Sequence, residues 1–396
     1  MNQSHTTSGY YQPRLIVQEL YGRKVSYYSK PGIAAWDEIP PSISLLAENI
    51  IQGQERIWCI NCGPGHLAVF ISSMCSNSSC WISNPDHLAQ QCTNLTRQEN
   101  HLANLSIVNA IDMPAELVSK TDLVLLSITK SRHLNRRWLV QAWSALKPQG
   151  ILLLSGPNDF GIQSVANDAS QLFHSSCILG YKKGNRIIQL VKSQPEAVLP
   201  EWALMPGIAP GTWHSLHIAH PSASWDFSSL PGVFSYDKLD KGTDLMLSFL
   251  GEMSGRNILD IGCGYGIIGL TAAHQGAGEV DLVDTNLLAI ASTQENIRRL
   301  NYSNCKAILS DLFSELPGKA YHYILSNPPF HLGNQVEYSI AHTLISGAYT
   351  ALVPAGKLQL VANRFIRYDH MMAQVFGNVT TLAETPAYHV LCSTKL

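Results

Sequence analysis

The sequence predicts an α/β protein of two tandem, doubly wound domains, the first a degenerate copy of the second. Three observations predict it. An apolar, β-type run meets a glycine-rich loop in each half. A fixed offset brings the two halves into register, motif after motif. In the second half only, successive strand-like runs end on acidic or amide side chains. The 396 residues suffice for two or three cores, and 45% hydrophobic with 14% charged residues is a globular composition.

In the second half, NILDIGCGYGIIGL (257–270) reads as a strand, a glycine loop and a helix start. Gly262, Gly264 and Gly266 let backbone approach a ligand, and the helix N-terminus offers unpaired N–H groups. The glycine spacing by itself is shared by several nucleotide-binding classes. The next strand, EVDLVDTN, ends on Asp284, placed to accept from ribose hydroxyls, and AILSDLF puts Asp311 at a third carboxyl end. A fourth strand then runs into YHYILSNPPFHLG (321–333). Proline fixes its own φ and restricts the residue before it, so Asn327, Pro328 and Pro329 form a stiff corner that presents an amide, free carbonyls and the ring of Phe330. Strands are expected near 257–261, 279–284, 305–309, 321–326, 356–362 and 387–393. Asp260, Asp284, Asp311 and Asn327 therefore line one crevice outside the carboxyl ends of a parallel sheet.

The first half repeats this order. Residues 57–68 and 258–269 share 5 of 12 positions at an offset of 201, where roughly one identity is expected by chance. LKPQGILLLSGPN (146–158) resembles LVPAGKLQLVANR (352–364), and GIAAWDEIPPSISLL (32–46) falls on GVFSYDKLDKGTDLM (232–246). The division is expected in the proline-rich stretch 193–210, giving domains 1–196 and 197–396. Asp260 becomes Cys59, Gly262 becomes Asn61, Asp284 becomes Ser83, and SNPPF becomes SITKS, so the first copy is expected to have lost the ligand site.

Charge is divided between the copies. Residues 1–196 carry 16 Lys+Arg against 13 Asp+Glu, and residues 197–396 carry 11 against 16. The basic residues gather at Lys130, Arg132, Arg136, Arg137 and at Lys182, Lys183, Arg186, Lys192, a candidate phosphate-contacting patch or a merely solvated face. Cys59, Cys62, Cys75, Cys80 and Cys92 suggest a zinc set, but Cys59 lies on a core strand and no histidine pair completes it, so no metal is expected. The nine cysteines are expected as reduced thiols in a cytoplasm. No run has the apolar length of a membrane span, and no signal peptide is expected because the first residues hold no apolar run.

The residues GVFSYDKLDKGTDLML, LDIGCGYGIIGL, SNPPFH and LVANR, in that order, resemble the tandem-domain bacterial ribosomal RNA guanine-N2 methyltransferases of the RsmC/RlmG kind, within the class I S-adenosylmethionine-dependent, Rossmann-like superfamily. The likeness covers about 225–396 closely and, through the duplication, the rest loosely; VANRFIRYDHMMAQVFGNVTT is similar to the large-subunit member. It implies that Asp260, Gly262, Cys263, Gly264 and Gly266 hold the methionine end of S-adenosylmethionine, with Asp284 on the ribose and Asp311 near the adenine. It implies that Asn327, Pro328, Pro329 and Phe330 form the target-base site, and that ribosomal RNA or a ribosomal subunit is the partner. His331 is expected to stand outside the chemistry, and Asp311 has a rival reading as a helix N-cap. Competing functions are adenine-N6 or protein-glutamine methylation at the same site, a non-catalytic RNA-binding protein and, more distantly, a nicotinamide dehydrogenase.

Overall fold

The structure, a computed structural model, describes residues 9–109, 111–194, 198–220, 223–328 and 335–396. Two compact units form, Pro13–Trp213 and His214–Leu396, the latter with residues 9–12. The expected division at 196/197 differs from this. Residues 198–213 pack with the first unit because Trp202 donates from Nε1 to Gln171 Oε1 at 2.9 Å and the buried Arg137 guanidinium donates to the Gly207 carbonyl at 2.6 Å.

The first unit opens with an antiparallel hairpin, β1 (Arg14–Leu20) and β2 (Arg23–Ser29), and continues through α1 (Pro41–Glu48), β3 (Arg56–Ile60), α2 (His66–Met74), β4 (Ser79–Ser83), α3 (His87–Glu99), β5 (Leu105–Val108), β6 (Thr121–Ser127), α4 (Arg132–Ala145), β7 (Leu146–Pro157), α5 (Ile162–Phe173), β8 (Cys177–Lys182) and β9 (Asn185–Val191). Its seven-stranded sheet has the order β5-β4-β3-β6-β7-β9-β8.

The second unit repeats that plan with the hairpin β10 (His214–His220) and β11 (Ala223–Ser229), then α6 (Lys241–Leu247), β12 (Ile258–Ile261), α7 (Ile267–His274), β13 (Val280–Asp284), α8 (Leu287–Leu300), β14 (Cys305–Leu309), β15 (Tyr321–Ser326), α9 (Gln335–Ala351), β16 (Leu352–Asn363), α10 (Tyr368–Phe376), β17 (Thr380–Glu384) and β18 (Tyr388–Thr394). The sheet order is β14-β13-β12-β15-β16-β18-β17. Two units with the same strand order confirm the tandem doubly wound fold. In each sheet the first five strands are parallel and the last two pairings are antiparallel, so only β9 and β18 run against the rest.

Central strands such as β12 (buried throughout) are apolar on both faces because helices cover both sides of a parallel sheet. The hairpins and β17 escaped sequence reading. Their exposed alternation carries no long apolar run, and β17, an edge strand, is mostly solvent-facing.

Candidate active site

β12 and β15 are neighbours in register, Ile261 beside Ser326, and the Ser326 hydroxyl donates to the Ile261 carbonyl at 2.7 Å. This clamp sets the glycine loop and the Asn327–Pro328 corner side by side. Asp260, Asp284 and Asp311 follow at or just beyond the ends of β12, β13 and β14, so all four predicted strand-end residues lie on one edge of the sheet.

Asp260 is fully buried and its Oδ2 accepts the Gly269 N–H at 2.9 Å, while Oδ1 is buried without a partner. Burial chiefly, with the nearby charge of Asp284, pushes its carboxyl up to about 7 against that single N–H donor. The loop turns back at Gly262, at φ 74° with open space where a side chain would stand. Gly266, at φ 94°, packs within 3.1 Å of Thr293 and Leu270 as measured from an added Cβ, so only glycine starts α7 this close to α8. Cys263 is buried beneath the loop, and burial raises its thiol well above its ordinary value. Asp284 accepts the Gly264 N–H at Oδ2, 3.0 Å, and the Asn286 N–H at Oδ1, 2.9 Å, and desolvation raises its carboxyl despite them. Asp311 is buried in a turn after β14 rather than capping a helix, and its Oδ1 accepts the Tyr10 hydroxyl at 2.8 Å.

The Asn327 amide is held from one side. Its Nδ2 donates to Thr243 Oγ1 at 2.8 Å and to Asp240 Oδ2 at 3.2 Å, and its Oδ1 is buried with no partner. Because a carboxylate only accepts, Asp240 forces the NH2 toward itself and the oxygen the other way. Asp240 is also the N-cap of α6, accepting the Thr243 N–H at 2.9 Å. Sequence reasoning missed Asp240 and Thr243; the only signal was their place in the quoted DKLDKGTDLM segment. Pro328 is buried at the same corner. Pro329, Phe330 and His331 lie outside the described residues.

In the first unit the corresponding crevice is filled. An added Cβ on Gly63 would meet the His66 ring at 2.6 Å, whereas one on Gly264 meets nothing nearer than Val233 at 3.8 Å. His66 is buried, and desolvation pulls its imidazole down to about 4. Asn61 turns its amide onto the Ser127 carbonyl at 2.9 Å, and Trp58 donates to Ser83 Oγ at 2.8 Å.

The basic cluster is smaller than its composition suggested. Arg132 and Arg136 both pair with the buried Asp168, Arg137 is buried against Asp112, and the Lys192 ammonium donates to the Trp143 and Leu146 carbonyls. Lys130, Lys182 and Lys183 remain exposed. No cluster of three potential metal ligands occurs among the described residues, and all nine cysteines are free of disulfides. Among those residues no helix is long and apolar enough to cross a membrane.

The sheet order, the open glycine loop and the strand-end acids define a class of protein, the methyltransferase α/β domain, and the family model described as "Methyltransferase small domain" matches residues 224–392. Ribosomal RNA small subunit methyltransferase C of Pasteurella multocida is 32% identical over 71% of this chain and 82% of its own. Ribosomal RNA large subunit methyltransferase G of Pseudoalteromonas atlantica is 27% identical over 91% and 93%. A solved structure, the T. thermophilus 16S rRNA N2 G1207 methyltransferase in complex with AdoMet and guanosine, matches with a TM-score of 0.81 and 26% identity over 99% of this chain and 100% of that one. The chain belongs to the ribosomal RNA small subunit methyltransferase C family.

The pocket suits S-adenosylmethionine. The open backbone at Gly262 admits close approach, the buried Asp260 Oδ1 lacks a hydrogen-bond partner, and the strand ends supply carboxylates rather than cations to a positively charged ligand.

Proposed function

We propose that this chain transfers a methyl group from S-adenosylmethionine to the exocyclic N2 amine of a guanine in ribosomal RNA. Membership of the family and the full-length structural likeness support the reaction class. The observation that carries the chemistry is the one-sided anchoring of Asn327, which leaves a buried amide oxygen unpaired.

A guanine amine is a poor nucleophile because its lone pair is delocalised into the ring. With Asn327 Oδ1 accepting one N–H and the Pro328 carbonyl the other, that lone pair is localised and aimed. A fixed acceptor pair does this without a strong base, since the acceptors need no reorganisation. Bound S-adenosylmethionine supplies an electrophilic methyl on a sulfonium. The glycine loop and Asp260 would hold its methionine end, Asp284 its ribose and Asp311 its adenine. By the family resemblance Phe330, which lies outside the described residues, would stack on a base that has left its helix or was never paired.

The same acceptor pair would suit adenine-N6 or a glutamine amide, and the relatives' ribosomal RNA substrates favour guanine. Cytoplasmic residence follows from a ribosomal substrate. We assign the first unit a supporting or RNA-recognising role, with Lys130, Lys182 and Lys183 its exposed basic surface. Ribosomal RNA from cells with and without the protein, digested and weighed subunit by subunit, tests the proposal. One N2-methylguanosine should disappear, from the small subunit if the family's name carries over and from the large subunit if the tail's likeness does. An unchanged guanosine profile in both subunits would overturn it.

A further inference from the structure

We infer that residues 9–12 complete the cofactor pocket, with Tyr10 a positioning residue that fixes the Asp311 carboxylate for the exocyclic amine of the adenine. The inference rests on the proposed placement of Asp311 beside the adenine.

Tyr10 and Asp311 stand 301 positions apart in sequence, yet their side chains meet at 2.8 Å in a buried hydrogen bond, the phenol donating. Both residues are under a tenth exposed. Tyr11 stands edge-on to Tyr10, ring centroids 5.1 Å apart. Its phenol is pushed up to about 12, by burial first and by the charge of Asp311 second, opposed by a hydrogen bond with the Phe313 backbone. Two consecutive tyrosines therefore lean on one turn, the turn that follows β14 and whose Ser310 N–H is tied to the Asp284 carbonyl at 3.0 Å.

The chemistry is specific. A phenol is a neutral donor, so it orients the carboxylate without cancelling its charge. A carboxylate offers about four acceptor positions, so it can accept from a phenol and from an amine at once. An adenine amine donates N–H, whereas the oxygen at the same place in hypoxanthine would face a carboxylate as acceptor against acceptor. A carboxylate held in one plane discriminates between them; one free to rotate discriminates less. The family model begins at residue 224, so this part of the pocket comes from outside the domain that the model describes.

Calorimetric titration of the full chain with S-adenosylhomocysteine and with S-inosylhomocysteine tests this. Tyr10→Phe keeps the ring and removes only the donor. It should bind the adenosyl ligand roughly fivefold to tenfold more weakly, the scale of one ordinary hydrogen bond. Affinity for the inosyl ligand should hardly move, so the preference narrows. In Asp311→Asn the preference should collapse whether or not Tyr10 is present. Equal weakening of both ligands in Tyr10→Phe, the mark of a merely structural residue, overturns the inference, as does no change in either. A parent protein that binds neither ligand would instead sink the proposed function.

Discussion

At the scale of single residues, the proposed catalytic centre reduces to which way one amide faces. Asn327→Ala should leave S-adenosylmethionine affinity within about twofold while turnover of labelled methyl falls by roughly 10²-fold or more, the usual loss for a preorganised acceptor or donor. Thr243→Val should be milder. Asn327 keeps Asp240 but loses its 2.8 Å partner, so kcat falls about tenfold with little change in KM, read in the same assay. Asp260 makes a separate prediction about pH. Its folded carboxyl sits near 7, above the usual unfolded value of about 4. The native state therefore holds the proton longer, and stability contributed by the neutral form is lost as pH rises from about 4 to 7. Asp260→Asn keeps the acceptor for Gly269 and removes the titration. Its unliganded melting temperature should fall less between pH 5 and pH 8 than the parent's, and coincident profiles would show the acid is not buried as described.

Among elements, what joins the hairpin to the sheet is repeated in both units with different residues. Asn296 of α8 accepts the Ser228 N–H at 2.7 Å and donates to the Ser228 and Tyr265 carbonyls. In the first unit Thr96 of α3 accepts the Tyr28 N–H at 2.9 Å and donates to the Pro64 carbonyl. Helix, hairpin and glycine loop are thus tied at one point in each copy. Asn296 is fully buried, and Asn296→Leu would orphan three backbone groups. It should cost about 3 kcal/mol, measured by denaturant unfolding, with cofactor affinity falling as the loop loosens. The linkage was not legible in sequence, since an asparagine and a threonine in mid-helix read as ordinary polar residues. The helix α6 was legible only in part. Asp240 before it reads as an N-cap, but that the same carboxylate turns Asn327, 87 positions away, depends on the packing of α6 against β16, the neighbour of β15.

For the whole molecule, the duplication makes stoichiometry the decisive quantity. The His66 ring, the Asn61 amide and Trp58 fill in the first unit what the second leaves open. Titration should give one S-adenosylmethionine per chain, and two would refute the filled crevice. The same loss of acidic and glycine residues was read from Cys59, Asn61 and Ser83, but sequence could not say what had taken their place. It also overstated the basic surface, because Asp168 and Asp112, which neutralise the arginines, lie 25 to 36 positions away from them and show no pairing pattern.

Local chemistry alone determined the fold class, the repeat and the identity of the strand-end residues. Glycine loops, apolar runs and a double proline act over a few positions, where sterics and periodicity decide. Only the tertiary structure decided which way the Asn327 amide faces, why the Asp260 carboxyl is raised, and that a tyrosine near the chain's start reaches the turn at Asp311. Each of those depends on burial and on partners brought from far along the chain, and desolvation has no signature until the fold removes the water.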